Sequence, residues 1–409
     1  MQNNQLQERI PDCSMPQNDR NLQKNSRYLA RILAPTEVTS SLISAWDKLE
    51  ARAVVPNAFM SPYFVMPALR YLESCADTFG LFIEKSSAGL SDLVGVALFQ
   101  VRKPTRRFPL KHLAAFKSVH SYLSDFLLDR EHASSALREI FCYLRAQRYR
   151  WHGLHLNNFS GDYLLTEEAQ AVASELGVRW NLFEQWSRAV LFEKEYGEKA
   201  LAQIPKRRIK THQKNLKKLE ELGKVEWVFT RQTDSLQTLA EEFVRLEHSG
   251  WKGDEGTSLY SNPNHLRFFY EMVAGFNKTG RSFFTELRLN GKSIASTTNF
   301  ISGKAGFGFK LGWDSAYARF GPGIMNEIET VKHAAEVLSD LEYIDSSAAP
   351  ASYISDLWPG RRAICEGVFS LTAAGNIALA SVETARKLKT LLFSRRNKIP
   401  DENDQNTIV

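Results

Sequence analysis

The feature that most constrains the fold of this 409-residue chain is an order of secondary-structure patterns that occurs twice. Residues 38–50 have the apolar spacing of an amphipathic helix and end in Leu-Glu, and residues 235–247 do the same at an offset of 197. In each half, a second helical segment, two β-like runs, a helix and a strand follow in the same order. Because a chain of this length usually forms two or three domains, we predict two domains of similar architecture in tandem.

The elements after the first helices can also be assigned in pairs. They are second helices at about 61–74 and 263–278, hairpin runs within 79–101 and 282–301, helices at 132–147 and 323–338, and strands at 151–157 and 341–347. The second hairpin turns at Asn290-Gly291, a dipeptide that strongly favours tight hairpins. Each half therefore has the pattern of a mixed, mainly antiparallel sheet flanked by helices, and the predicted fold class is α/β (α+β).

The composition of the two ends indicates where the domains begin and end. Residues 1–27 are polar and rich in Asn and Gln, which predicts a disordered lead-in, and residues 395–409 are predicted to form a disordered tail. Between them we expect a first domain at 28–194 and a second at 200–385, with the seam near 194–205.

Composition also argues against several classes of protein. The chain is 43% hydrophobic, which is enough for a sizeable core, yet it has no uninterrupted apolar run long enough to span a membrane. The N-terminus does not combine a basic head with an apolar run, so we expect no secretory signal. The four cysteines are far apart and form no CxxC pair, which argues against a disulfide scaffold or a structural zinc site. We expect a cytoplasmic protein that binds no metal.

The net positive charge of the chain comes entirely from one predicted helix. Residues 206–218 hold seven Lys or Arg and no acid, and since the whole chain has a net charge of +6, the remainder has a charge of −1. A basic surface over the whole protein would indicate nucleic acid, which is therefore not an expected partner. The helix could attract phosphate groups or form a solvated face. A second basic stretch at 383–398, interleaved with leucines, could contact a membrane surface.

Residues 305–325 contain a pattern typical of anion-binding loops. A β-like run at 305–313 is followed by a polar turn, by Gly321 and Gly323 around a proline, and by an amphipathic helix. Glycines let the backbone approach an anion, and the free N–H groups of the first helical turn point towards it. Arg319 adds a nearby guanidinium. The alternative is an ordinary turn that only begins a helix.

The motifs of the second half resemble, in order, those of the GNAT superfamily of acyl-CoA N-acyltransferases. They are the basic RRIKTHQKNLKKLEELGKV at 207–225, LEHSGWKG at 246–253, GT at 256–257, FKLGWDSAYARFGPG at 309–323, YIDSSAAP at 343–350 and LWPGRR at 357–362. Within the superfamily, the chain is similar to the subgroup associated with cellulose and exopolysaccharide biosynthesis (CelD/BcsL-like). The resemblance covers most of the second half, and it implies tandem GNAT-like domains of which the second carries the acyltransferase site.

The resemblance further implies that acetyl-CoA or another acyl-CoA lies between two splayed strands, here 305–312 and 341–346. Its pyrophosphate would rest on the loop that opens the following helix, and the implied cofactor-binding residues are Arg319, Phe320, Gly321, Gly323 and Ile324. The two glycines match the superfamily loop, whereas its Arg or Gln position falls on Ala318. The first half has no glycine between its hairpin and the helix at 132–147, so we predict a scaffold that frames a substrate cleft between the halves.

Acyl transfer from a thioester to an amine needs a proton acceptor, because a free amine has a pKa near 10.4. The candidate bases are Asp314 and Asp345, which follow the ends of the two central strands, and Glu247 at a helix end. Tyr353 lies just beyond Asp345, where many GNAT enzymes carry the tyrosine that reprotonates CoA. Structural roles are open to all four, as turn or cap residues, as an ion pair of Glu247 with Lys252, or as a packed tyrosine.

We therefore expect an acyl-CoA-dependent N-acyltransferase, most simply an acetyltransferase, that acts on an amine-bearing small molecule or a sugar or lipid precursor. A Fem-type aminoacyl transferase, which also pairs two GNAT-like halves but takes its donor from tRNA, is a second possibility. The second half lacks the long helical insertion that many of those enzymes carry. A third possibility is a non-catalytic GNAT-like protein with a binding or assembly role.

Overall fold

The protein is described by a computed structural model that covers residues 28–87, 90–161 and 164–396. The predicted lead-in at 1–27 and residues 397–409 of the predicted tail lie outside these ranges. The basic stretch predicted at 383–398 begins in the last described helix and extends beyond the described residues.

Strands of the described residues form one sheet, and each pairs with neighbours in the order given below. They are β1 (Tyr28–Leu33), β2 (Thr78–Ser87), β3 (Leu90–Arg102), β4 (His112–Ala115), β5 (Leu127–Leu128), β6 (Gly153–Ser160), β7 (Arg179–Phe192), β8 (Val225–Arg231), β9 (Ser282–Leu289), β10 (Lys292–Ser302), β11 (Ala305–Trp313), β12 (Tyr343–Asp345) and β13 (Gly360–Ser370).

Helices flank the sheet and come close to the predicted bounds. They are α1 (Ser40–Glu50), α2 (Pro62–Tyr71), α3 (Ala133–Ala146), α4 (Leu164–Glu175), α5 (Glu198–Gln203), α6 (Lys206–Glu220), α7 (Leu236–His248), α8 (Trp251–Asp254), α9 (Pro263–Lys278), α10 (Pro322–Val337) and α11 (Ala373–Arg396). Local sequence sets several starts: α9 begins at a proline after Asn262, whose side chain accepts a hydrogen bond from the Asn264 N–H at 2.9 Å. None of the described helices has both the length and the apolar composition needed to cross a membrane.

The sheet has the strand order β1-β2-β3-β4-β6-β13-β7-β12-β11-β10-β9-β8, with β5 paired to β3 outside this path. Each half contributes one parallel pair, β4 with β6 and β11 with β12, and the other pairs are antiparallel. This architecture confirms the predicted α/β (α+β) class, a mixed and mainly antiparallel sheet flanked by helices.

The two halves share this sheet, whereas the sequence predicted one sheet for each. Strand β13 of the second half lies between β6 and β7 of the first, and β7 also pairs with β12. Because the strands of the two halves pair with each other, neither half has an unpaired strand edge at the junction. Exposed N–H and C=O groups at such an edge would favour aggregation. The domain limits 28–194 and 200–385 remain a prediction, and the hydrogen bonds of β13 cross them.

A shared core of aromatic side chains also joins the halves. Helices α2 and α9 lie against each other, with the rings of Phe64 and Phe268 5.3 Å apart, and Phe59 lies 5.9 Å from Phe307. Gly275 permits this approach, since a Cβ there would come within 2.9 Å of the Tyr63 ring. Burial of each such ring contributes roughly 1.5–3 kcal/mol, so the halves stabilise one another.

Candidate active site

Strands β11 and β12 pair over only three residues and then diverge. The pairs are Ala305 with Tyr343, Gly306 with Ile344 and Phe307 with Asp345. β12 ends there, while β11 continues to Trp313. Its pairing with β10 shifts at the same point, because Asn299 faces Gly308 and Thr298 faces Lys310, which leaves Phe309 as a β-bulge. A bulge bends its strand, and the two central strands therefore open into a gap.

A cavity of about 430 Å³ occupies this gap, and we call it the strand cavity. Its walls include Gly308 and Lys310 of β11, Glu327 of α10, Tyr353 and, from the first half, Tyr122. A side chain at Gly308 would be crowded, because a Cβ there would lie 3.0 Å from the Ser346 carbonyl oxygen. The cavity thus combines exposed strand backbone with a small set of polar side chains.

The loop after β11 presents the start of α10. Gly321 caps the helix with φ of +67°, a left-handed conformation that favours glycine, and a Cβ at this position would meet open space. The Met325 N–H donates to the Gly321 carbonyl at 3.0 Å, and the N–H groups of Gly323 and Ile324 lie ahead of it. Such first-turn N–H groups carry the positive end of the helix dipole and attract anions.

The basic helix α6 lies beside this helix start. A second cavity, of about 490 Å³, separates the two, and we call it the loop cavity. Arg207, Arg208 and Asn215 line it from α6, and the Asn215 side chain donates to the Phe320 carbonyl at 2.9 Å. The segment that makes the chain basic therefore faces the predicted anion-binding loop, and its guanidinium groups add to the field of the helix terminus.

The five predicted cofactor-binding residues differ in their placement. Phe320, Gly321 and Ile324 line the loop cavity. Gly323 faces β11, where a Cβ would come within 3.0 Å of a Leu311 methyl group. Arg319 is exposed, and its guanidinium lies over the ring of Phe320 at 4.7 Å from the centroid.

Two of the predicted bases, Asp314 and Asp345, make structural contacts. The Asp314 carboxylate accepts the Ala316 N–H at 3.1 Å and caps the turn after β11. Asp345 is fully buried, 3.0 Å from a guanidinium nitrogen of Arg362 and 3.6 Å from one of Arg188. Both carboxylates therefore lie in arrangements that hold the fold together.

The third predicted base, Glu247, is also fully buried and paired. One carboxylate oxygen accepts the Leu259 N–H at 2.8 Å. The other lies 3.4 Å from the Lys252 ammonium and 3.6 Å from that of Lys310. The predicted pairing with Lys252 is present, and the second lysine comes from β11.

Tyr353 lies where the sequence predicted it, just beyond β12, and it lines the strand cavity. Loss of solvent and the negative charge of Glu327 both raise the pKa of its hydroxyl, with desolvation the larger cause. The hydroxyl therefore keeps its proton at neutral pH.

Glu327 is the functional candidate that the sequence analysis missed. It is buried on α10, lines the strand cavity, and burial raises its pKa to about 7. Within the described ranges, no hydrogen bond or ion pair engages its carboxylate. The sequence did contain a signal for a buried carboxylate. Glu327 follows Ile324 by three residues and therefore lies on the same, otherwise apolar face of the helix.

In the first half, the space beside β6 that corresponds to this gap is filled by the chain itself. The same segment of the first half contributes a residue to the strand cavity. Beside β6, the Ser124 N–H donates to the Asn158 carbonyl at 3.1 Å, and the Ser160 N–H donates to Asp125 at 2.6 Å. The chain between β4 and β5 thus fills the space next to β6, and its Tyr122 reaches the strand cavity. Across the part of the chain that the structure describes, no group of three or more His, Cys, Asp or Glu is placed to hold a metal ion.

Comparison with known proteins gives a family match for part of the chain. Residues 206–353 match the family model described as an acetyltransferase (GNAT) domain. No curated protein matches the chain. FemX has a similar structure, with a TM-score of 0.52 at 11% identity over 85% of this chain and 98% of that one.

A domain described as the C-terminal part of a lysylphosphatidylglycerol synthetase from Agrobacterium fabrum is similar as well. Its TM-score is 0.50 at 12% identity, over 84% of this chain and 95% of that one. At such identities the two structures show the fold alone. Residues 206–353, which match the acetyltransferase (GNAT) domain model, therefore include most of the residues that line both cavities.

Proposed function

We propose that the chain is an acyl-CoA-dependent N-acyltransferase whose active site is the strand cavity. The observation that carries the proposal is that α10 lines both cavities: Gly321 and Ile324 line the loop cavity, and Glu327 lines the strand cavity. Ile324 and Glu327 are about one helical turn, or roughly 5 Å, apart along the axis. A donor with a phosphate end and a reactive end can therefore contact both cavities along one helix.

The loop cavity fits the pyrophosphate of CoA. The first-turn N–H groups of α10 and the guanidinium groups of α6 supply hydrogen-bond donors and positive charge, of which that of Arg208 is paired with Asp356 of the same cavity at 2.8 Å. Gly321 leaves space for close approach of an anion. We assign Phe320, Gly321 and Ile324 to direct contact with the donor, Gly323 to close packing of the helix on β11, and Arg319 to the rim of the site.

The strand cavity fits the acyl group and the reacting amine. Beyond Phe307, β11 has no β12 residue beside it. We propose that its backbone N–H groups on this edge stabilise the negative charge on the carbonyl oxygen when the amine nitrogen attacks the thioester carbon.

Proton transfer is assigned to Glu327 and Tyr353. Glu327 accepts the proton that the ammonium of the acceptor must lose before its nitrogen forms the new C–N bond. When the C–S bond breaks, Tyr353 donates its proton to the departing sulfur, and Glu327 returns a proton to Tyr353. The attacking nitrogen loses its second proton to solvent as the amide forms, so that the products are an amide, a free thiol and one released proton. In this assignment Asp314, Asp345 and Glu247 support the site through their contacts.

We further propose acetyl-CoA or another acyl-CoA as the donor, and an amine-bearing small molecule or a sugar or lipid precursor in the cytoplasm as the acceptor. The motifs shared with the cellulose and exopolysaccharide subgroup support a role in making such polymers.

The donor assignment is tested by calorimetric titration with CoA and acetyl-CoA. Gly321→Asp adds a negative charge to the loop cavity, whereas Gly321→Asn has the same shape and tolerates the left-handed backbone equally well. We expect Gly321→Asp to bind CoA at least about tenfold more weakly than Gly321→Asn. Gly321 is more informative than Gly323, because a side chain at Gly323 points towards β11. Equal affinity of the two variants, or no CoA binding by the wild type, would refute the assignment.

A Fem-type aminoacyl transferase with a tRNA donor is the second candidate. Its support is the exposure of Lys206, Lys210 and Lys214 on α6, a basic surface that fits a nucleic-acid backbone, together with the fold shared with FemX. Salt-sensitive tRNA binding by a protein that does not bind CoA would favour it. A protein that binds neither would favour a non-catalytic assembly role.

A further inference from the structure

The wall of the strand cavity towards the first half has more positive charge than its partners neutralise. Lys252 and Lys310 both line the cavity, and both ammonium groups approach the same oxygen of Glu247, at 3.4 and 3.6 Å. One carboxylate neutralises one of them, so a net charge of up to about +1 remains at this wall, although burial lowers the pKa of the Lys310 ammonium. The side chains are 25% and 12% exposed, and such partial burial strengthens their field.

A buried histidine without a hydrogen-bond partner lies in this field. His120 is 6% exposed, and its Nε2 atom makes no hydrogen bond. Its ring lies 4.9 Å from that of His265 and 5.9 Å from that of Phe309, which lines the strand cavity. A buried polar atom left unpaired is costly, and a water molecule or a ligand that pairs with it removes this cost.

Both histidines are neutral at physiological pH. Burial, Lys310, His265 and Lys252 lower the pKa of His120 to about 3, with burial the largest cause. Burial and Lys310 also lower the pKa of His265, against a weaker opposite effect of Glu247. The histidines therefore lie close enough to the lysines to be affected by their charge, and add none of their own.

The positive wall lies on the face of β11 opposite the donor helix. Leu311 points towards α10, where Gly323 packs against it, whereas Lys310 pairs with Glu247 of α7. The donor phosphates are assigned to the start of α10, so these lysines face the acceptor side. A simple ammonium would be repelled by them, while an acceptor that also carries an anionic group would be attracted.

We propose, on the basis of the proposed acyl transfer, that this wall binds an anionic oxygen group of the acceptor, a carboxylate or a phosphate. Lys252 and Lys310 bind the anion, and the unpaired His120 nitrogen supplies a further hydrogen bond beside them. The acceptor is thus an amine that carries its own negative charge. The positive wall also lowers the pKa of the acceptor ammonium, which assists its deprotonation.

The test compares matched acceptors in an assay of thiol release from acetyl-CoA. The pairs are glycine with glycinamide, β-alanine with β-alaninamide, phosphoethanolamine with ethanolamine, and glucosamine 6-phosphate with glucosamine. We expect an anionic member to have a kcat/KM at least about tenfold above that of its neutral partner. The carboxylate and phosphate pairs show which anion the wall selects.

Two variants locate the effect. Lys310→Met and Lys252→Met keep the length of the side chain and should raise KM for the anionic acceptor about tenfold, with unchanged affinity for CoA. Because Lys252 is the more exposed of the two, Lys252→Met is the variant to use if Lys310→Met does not fold. Lys224→Met, at an exposed lysine outside both cavities, is the matched control.

The outcomes separate this inference from the proposed function. If CoA binds but no anionic amine is acylated better than its neutral partner, the inference fails and the donor assignment stands. Retention of the preference by both lysine variants also overturns it. If CoA does not bind at all, the proposed function fails first.

Discussion

Glu327 of α10 and Tyr353 of the turn beyond β12 face the same cavity, and the charge of Glu327 contributes to the raised pKa of Tyr353. Both side chains line the cavity in the gap between β11 and β12. One group can accept a proton near neutral pH, since burial raises the pKa of Glu327 to about 7, and the other keeps its proton there. Acid and base therefore lie side by side where the two central strands separate.

The first prediction concerns catalysis by Glu327. Activity should rise through about pH 7 in the wild type, because only the ionised carboxylate accepts a proton. Glu327→Gln should lower kcat by about 100-fold or more and remove this limb of the pH profile, while CoA affinity stays the same. The measurement is the rate of thiol release between pH 5 and pH 9. A Glu327→Gln protein that retained the limb would assign the proton transfer to another group.

The second prediction concerns the stability of the protein, which should fall with rising pH whereas the activity rises. Since the folded-state pKa of Glu327 lies above that of an unfolded glutamate, the folded protein holds this proton more tightly, and stability is lost as the pH rises from about 4.5 to 7. The side chain in Glu327→Gln has no proton to lose, so this variant should not be destabilised as the pH rises. At pH 8 its free energy of unfolding should exceed that of the wild type by up to about 3 kcal/mol. The difference should shrink towards zero near pH 4.5. Denaturant unfolding at the two pH values measures it, and an equal difference at both would contradict the assignment.

Such a gain in stability with a loss of activity would identify Glu327 as functional. The gain in stability follows from the raised pKa alone, so the accompanying loss of activity is what distinguishes a functional carboxylate from one that is only packed. Functional sites commonly keep groups that destabilise the folded state.

The sequence predicted local features well and distant pairings poorly. The helix at 263–278 was predicted to the residue, because its Asn-Pro start and apolar period are local signals. The insertion of β13 beside β7 could not be predicted, since it pairs Gly360 with Val190, 170 positions away, and a strand pattern does not name its neighbours. A continuous sheet therefore replaced the predicted pair of sheets.

The same distinction applies to the site. The loop at 319–324 is a local pattern of strand, glycines and helix start, and three of its five predicted residues line the loop cavity. The role of Asp345 depends on Arg188 of β7 and Arg362 of β13, and both partners reach it through strand pairings that the sequence does not reveal. Position at a strand end indicated a candidate base, and the tertiary contacts point to a buried ion pair.

The third prediction concerns Tyr353. Tyr353→Phe removes the hydroxyl and keeps the ring, so it should lower kcat by about tenfold to 100-fold with little change in the KM for acetyl-CoA. The loss should be smaller for a donor whose leaving thiol has a low pKa, because such a thiolate needs less assistance. Steady-state kinetics with acetyl-CoA and with an acetyl thioester of an acidic thiol measure the difference. An equal loss with both donors would indicate that the hydroxyl serves the structure of the site.

The fourth prediction separates the structural carboxylates from a catalytic one. Asp345→Asn removes the negative charge between two buried guanidinium groups, at 3.0 and 3.6 Å, and should destabilise the protein by about 3–5 kcal/mol. Asp314→Asn, at a buried cap whose carboxylate lies 3.4 Å from Arg245, keeps an oxygen that can accept the Ala316 N–H; it is the matched control and should cost about 1 kcal/mol or less. Denaturant unfolding measures both. A buried ion pair cannot lose its charge without weakening the fold, so an Asp345→Asn protein of unchanged stability would contradict the structural role. If that protein had also lost its activity, Asp345 would replace Glu327 as the candidate base.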